Sequence, residues 1–363
     1  MATKTPKSTS SRRKRAMLWS FVIIVAGAIV FPSLGYVYTA LNTVQAQASE
    51  DSNPRANYWR AVREGYEGYS AVTGRQLDTD KVLNEETNVL IQNGGHNWRQ
   101  LRNGPVATYG GWGLFLTVCA ILLFFAKRGR VELEQKPSGM TVPRWSVFER
   151  TVHWYTATLF IILSITGLSI LFGRAVLIPL FGLQGFSAWA SFAKPVHDYM
   201  GPFFSIGVLF ILIMWIRHNI PTAVDMRWFG QGGGIIGRKH PSAGRLNGGE
   251  KLWFWIVVLI GGVVVCVSGF ILDFPGNGQT RELMQWANIF HAVGSLVWIA
   301  VFFGHAYIGT IGTEGALDAM SKGRVGVEWA RQHHDLWYDQ VKDQAEYDER
   351  MDSQDMVRGQ QPS

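Results

Sequence analysis

The sequence is short of two things, cysteine and charge. Only Cys119 and Cys266 occur in 363 residues, each inside an apolar block. That excludes a Cys-x-x-Cys-His attachment for c-type haem, a cysteine-held iron–sulfur cluster, a zinc ribbon and a disulfide framework. Any metal must be held by histidine or carboxylate, or arrive inside a cofactor. Charged residues make up 17% of the chain, against 47% hydrophobic, and there are fifteen tryptophans. A soluble domain carries roughly 25% charged residues. Here the charges sit in loops between long apolar blocks, which points to an all-α, polytopic membrane protein.

Residues 1–16 are rich in Ser, Thr, Lys and Arg. The first apolar block, 17–41, has two readings: a retained anchor, or a secretory signal ending at Ala46-Gln47-Ala48. The basic run Arg12-Arg13-Lys14-Arg15 suits both. Residues 49–105 are polar and read as a small segment outside the membrane. Crossings are expected at 106–126, 152–173, 196–216, 252–272 and 287–311. Residues 174–190 are apolar but broken by Pro179, Gly182 and Gly185, which suits a short interfacial or re-entrant piece. The tail, 313–363, is charged and helix-prone.

Charge orients the chain. Alternate loops at 1–16, 127–151, 217–251 and 312–363 carry six Lys plus Arg each. The opposite loops carry seven at 42–105, two at 174–196 and one at 273–286. The seven lie in a long segment with eight acids, where the positive-inside rule has little weight. Both termini are therefore expected on the inner side of the membrane, with 42–105 outside. The alternation also accounts for the formal charge of +7 without nucleic acid.

Four of the nine histidines fall at matched depths. His291 and His305 lie in one crossing, fourteen residues apart. On an α-helix that spacing is roughly 21 Å along the axis and within about 40° of one face. His153 opens one crossing from the inside and His197 opens the next from the outside. Depth thus pairs His197 with His291 outside and His153 with His305 inside, two bis-histidine sites in four helices, suited to two stacked b haems. Each histidine could instead serve only as a hydrogen-bonding residue of the bundle, but ionisable groups in a membrane are costly. His218, before Pro221, is a competitor for the inner position, with an interfacial role the more natural one. His96, His240, His333 and His334 lie in polar stretches, where a solvated role is the default. Gly167, Gly207, Gly261, Gly262 and Gly294 are packing glycines first. Among them Gly294 is the best placed to make room for a porphyrin.

These residues carry a resemblance. His153-Trp154, His197 with Gly201-Pro202-Phe203-Phe204, His218-Asn219-Ile220-Pro221 and Asn247-Gly248-Gly249-Glu250-Lys251 form part of it. The His291/His305 spacing, Trp329-Ala330-Arg331-Gln332-His333-His334 and Trp337-Tyr338 complete it. Over about residues 145–340 the set resembles the gamma, cytochrome b subunit of respiratory formate dehydrogenases. Residues 57–65 and 97–105 are similar to its longer variant, with an N-terminal extension. The resemblance implies a four-helix di-haem core at 145–312 plus one or two extra N-terminal transmembrane helices. It implies axial ligands at His153, His197, His291 and His305. It also implies a site for menaquinone or ubiquinone around Asn247, Gly249 and His305; from the residues alone, Asn247 reads as an ordinary helix N-cap. Implied partners are an iron–sulfur beta subunit and a catalytic alpha subunit with molybdenum or tungsten, in membrane lipid, with a higher oligomer open. A hydrogenase or thiosulfate reductase cytochrome b shares the architecture. A proton-relay transporter and a haem-free anchor are the readings from other classes.

Overall fold

The computed structural model describes residues 93–234 and 240–348. The first apolar block, the cleavage alternative near residue 48 and the 57–65 motif lie outside the described residues.

Helix α1 (Asn93–Leu101) runs through a π-turn (Arg102–Val106) into α2 (Ala107–Arg128). The helix therefore starts well before residue 106, inside what the sequence reads as a polar outer segment. Pro105 lies within the π-turn, which absorbs a residue that cannot donate to the ladder. Strand β1 (Met140–Pro143) leads into α3 (Val147–Phe172). Ser146 caps α3 by accepting from Glu149 N, while Glu149 reaches back to Ser146 N at 2.8 Å. A π-turn (Gly173–Leu177) then opens α4 (Ile178–Trp215). Gly182, at φ 70°, breaks α4 where the sequence suggests an interfacial piece; beyond it the helix starts long before residue 196.

The pair α3 and α4 is antiparallel, since Thr156 lies against Gly207 and Thr166 against His197. Gly207 is required there, because a Cβ would overlap Thr156 Oγ1. After α5 (Ala223–Gly230), α6 (Gly248–Trp253) passes through a π-segment (Phe254–Gly261) into α7 (Gly262–Asp273), and α8 (Arg281–Tyr307) returns. Thus α3, α4, α6–α7 and α8 form the expected bundle, and α2 lies along α8. Apolar side chains face outwards: Ile213 is 64% exposed, Leu116 59%, and Ile260 and Val297 57% each. Such stripes on helices this long are lipid-facing. At mid-depth Trp298, seven residues from each α8 histidine, packs on Phe160 at 5.7 Å and Phe204 at 5.5 Å.

The inner end carries a structure that the charged tail does not announce. α9 (Asp318–Ser321), β2 (Arg324–Gly326), α10 (Val327–His333), α11 (Asp335–Val341) and β3 (Glu346–Tyr347) fold back as a cap. Its antiparallel sheet has the order β2-β1-β3, with Val142 opposite Val325 and Thr141 opposite Glu346. Val142, Trp145, Val325, Trp329, Ala330 and Trp337 form its own buried core. His334 is 1% exposed, so the solvated role expected for it is corrected; the polar residues around it hid an apolar cluster.

Candidate cofactor site

The depth pairing is realised in space. The rings of His197 (α4) and His291 (α8) have centres 6.1 Å apart, and those of His153 (α3) and His305 (α8) 6.2 Å apart. Histidine–metal bonds of about 2.0–2.1 Å, plus roughly 1.1 Å from ring nitrogen to ring centre, set two axial rings about 6.3 Å apart. Both pairs are therefore spaced for one metal each. Among the described residues no three His, Cys, Asp or Glu side chains converge as a bare ion requires. Two axial ligands suffice only when the metal arrives with its in-plane ligands already bound, as in a porphyrin.

The surroundings fit that group. A cavity of about 300 Å³ adjoins the outer pair, lined by Arg102 as well as by the Lys194–Asp198 ion pair and Asp273. His197 Nδ1 lies 2.9 Å from Thr166 Oγ1, and His291 Nδ1 lies 3.0 Å from Val265 O and 3.2 Å from Ser268 Oγ. A Cβ at Gly167 would come within 2.9 Å of His197 Cε1, and one at Gly269 within 3.3 Å of His291 Cε1. Gly294, in contrast, faces Val264 and Val265, so it packs α8 on α7 rather than facing a histidine ring. At the inner pair His305 stacks on Trp253 at 4.8 Å, and His153 Nδ1 is buried with no partner.

Comparison with known proteins agrees with the geometry. The profile of the prokaryotic cytochrome b561 family matches residues 144–323, the span from the start of α3 to the cap. The four-helix core is similar to the prokaryotic cytochromes b561. This cytochrome is thus a haem b protein of a bacterial membrane. It is 24% identical over 211 residues to the nitrate-inducible formate dehydrogenase cytochrome b556 subunit of Escherichia coli (strain K12), covering 55% of this chain and 92% of that one. A second formate dehydrogenase cytochrome b556 subunit of the same organism is 27% identical over 206 residues, covering 56% and 94%. The formate dehydrogenase cytochrome b556 subunit of Haemophilus influenzae is 25% identical over 198 residues, covering 52% and 79%.

The remaining expected residues fall as follows. Asn247 caps α6: its Oδ1 accepts from Glu250 N at 2.9 Å, and Glu250 accepts from Asn247 N at 2.7 Å. Its amide nitrogen is left to donate elsewhere. Gly249 lies under Trp228, whose ring would be 2.9 Å from an added Cβ. Trp253, one turn beyond Gly249, is the residue of this helix that meets His305, and its indole Nε1 is buried without a partner. His218 lies in the 3-10 turn Ile216–Asn219, in the field of Arg245 and Glu149 rather than in the inner pair. Sequence reasoning missed Trp253, Thr166, Ser268 and Gly269. A signal existed for the last three: a hydroxyl residue followed by glycine recurs near the outer ends of two crossings, at 166–167 and 268–269.

Proposed function

We propose that this cytochrome is the membrane subunit of a formate dehydrogenase, linking an outer iron–sulfur partner, and through it a molybdenum- or tungsten-containing catalytic subunit, to quinone near the inner face. The observation that carries the reading is the pair of bis-histidine sites stacked by depth along one helix, in a chain whose relatives are formate dehydrogenase cytochrome subunits. Bound between His197 and His291 and between His153 and His305, two b haems would supply one-electron carriage across the membrane. The chain's own residues fix the ligands at two depths, exclude water between them with Trp298, Phe160 and Phe204, and provide the inner donors for quinone. The loop charges support a cytoplasmic C-terminal cap, with the protons for quinone drawn from that side. With formate oxidised outside, charge would be separated across the membrane.

The test is haem content and formate-driven reduction in the purified complex. A pyridine-haemochrome assay should give two haems per chain, both reduced on adding formate; one haem or none would end the reading. A hydrogenase-type cytochrome would instead be reduced by hydrogen and not by formate.

The quinone site is tested at Asn247. Its Oδ1 serves the helix cap, while its amide N–H remains for a quinone oxygen. Asn247→Asp keeps the capping oxygen and removes the donor. Both haems should stay bound and reducible by formate, while reoxidation by quinone slows about 10-fold, the effect of roughly 1.4 kcal/mol. Stopped-flow reoxidation at the wild-type rate would leave Asn247 a helix cap alone.

A further inference from the structure

We propose that Thr166-Gly167 and Ser268-Gly269 are matched cradles that lock the two outer histidines as Nδ1–H donors and hold the outer haem at a lower potential than the inner one. The proposal rests on the two-haem reading above and extends it to the relative potentials of the two sites. The tautomer follows from proton accounting, because a hydroxyl has one proton to donate. Thr166 Oγ1 gives its proton to Ile162 O at 2.8 Å, so towards His197 Nδ1 it accepts. Ser268 Oγ gives its proton to Val264 O, so towards His291 Nδ1 it also accepts, beside Val265 O, which can only accept. Both outer rings therefore carry their proton on Nδ1 and keep the Nε2 lone pair for a metal.

Hydroxyl-to-backbone bonds one turn back are common in apolar helices; Thr117, Ser169 and Thr310 make them here with no histidine attached. The two cradles differ in having both a histidine ring on the hydroxyl and a glycine under the same ring's Cε1. They come from different helices, α3 and α7, and serve histidines on two others, α4 and α8. The inner pair has no counterpart. Among the described residues neither His153 nor His305 makes a hydrogen bond; their neighbours are the aromatic rings of Trp154 and Trp253.

The inequality has an electronic consequence. A ligating imidazole whose other N–H is held by an acceptor is a more basic ligand and favours the more highly charged, oxidised metal. Two such ligands outside and none inside make the outer centre the weaker electron acceptor. Transfer from the outer to the inner site is then downhill.

Optical redox titration of the full complex tests this. The wild type should titrate in two one-electron steps, and His291→Ala should remove the lower. Thr166→Val should keep both haems and shift only the lower step upwards; a tenfold change in ferrous-to-ferric ratio is 59 mV for one electron. Thr166→Ser, which restores the oxygen, should return it to the wild-type position. Should the valine variant lose haem, Thr166→Ala removes the oxygen without adding bulk and carries the same expectation. A lower step unmoved at full haem content would overturn the proposal, as would loss of the upper step in His291→Ala. A wild-type complex without two haems would sink the two-haem reading instead.

Discussion

A His291→Ala complex should hold one haem per chain, and formate should no longer reduce it. His291 is one of two axial ligands at the outer site, where its ring centre stands 6.1 Å from that of His197. Losing even a hydrogen-bond partner of a ligand weakens metal binding about 10–100-fold, and losing the ligand itself costs more. Alanine also strands Ser268 Oγ and the carbonyl of Val265, which His291 Nδ1 now meets. The inner pair lies about half the length of α8 away, fourteen residues on at His305, and keeps its haem. His305→Ala is the mirror experiment: one haem again, but one that formate still reduces and quinone no longer reoxidises. Pyridine-haemochrome content and formate-driven difference spectra separate the two variants. If both lost both haems, the sites would not be independent. If both kept formate reduction, electrons would not enter from the outside.

The proximity of the histidines in two pairs was legible because it obeys one-dimensional rules. Fourteen residues on one helix fix a depth difference and a common face, and loop charge predicts a side for each depth. What fits around each ring was not legible, because it depends on how neighbouring helices rotate and how closely they approach. Thr166 reads as a helix-face threonine until α4 is laid antiparallel on α3. Gly294 looked the best-placed spacer by distance along α8, yet it points at α7. Trp253 is one of fifteen tryptophans in the sequence, and only the packing of α8 against α6 brings it onto His305.

The cap was illegible for a different reason. Its strands are four, three and two residues long, and its apolar residues are scattered among charges without a sustained period. The motif that carried the family resemblance, Trp329 to His334 with Trp337, is the device that holds this cap to the bundle. The Arg144 guanidinium lies between Trp329 at 4.9 Å and Trp337 at 4.8 Å, with Trp145 beside it at 5.6 Å. Its Nη2 donates to Arg245 O at 2.9 Å and to His334 Nε2 at 3.1 Å. His334 Nδ1–H in turn donates to Gly244 O at 2.8 Å, which leaves Nε2 as the acceptor that Arg144 needs. His334 is thus a structural, neutral histidine. Trp145 continues the contact inwards to Trp215 at 5.1 Å, and Trp215 lies 6.5 Å from His153.

Acid should therefore release the cap and disturb the inner haem before the outer. Burial, and then the charge of Arg144, holds the His334 imidazole well below its ordinary 6.5. Burial, His240 and Arg144 lower His333 to about 4. Burial lowers Arg144 to about 10, with Glu250 opposing, so it stays cationic across this range. Both histidines are neutral in the docked cap and protonate near 6.5 when it unfolds, so the unfolded cap binds more protons and docking strengthens as pH rises. Their contribution is complete above about pH 6.5 and is lost as pH falls through that value towards 4. Arg144→Ala should undock the cap even at pH 7, because breaking a buried charged partnership costs about 3–5 kcal/mol. His334→Gln, with a neutral acceptor in the same place, should keep the cap docked and flatten its pH response. Hydrogen exchange over residues 324–341, followed with the inner-haem spectrum between pH 7 and 5, reads both. Wild-type protection unchanged at pH 5, or Arg144→Ala exchanging like the wild type, would mean that this cluster does not hold the cap.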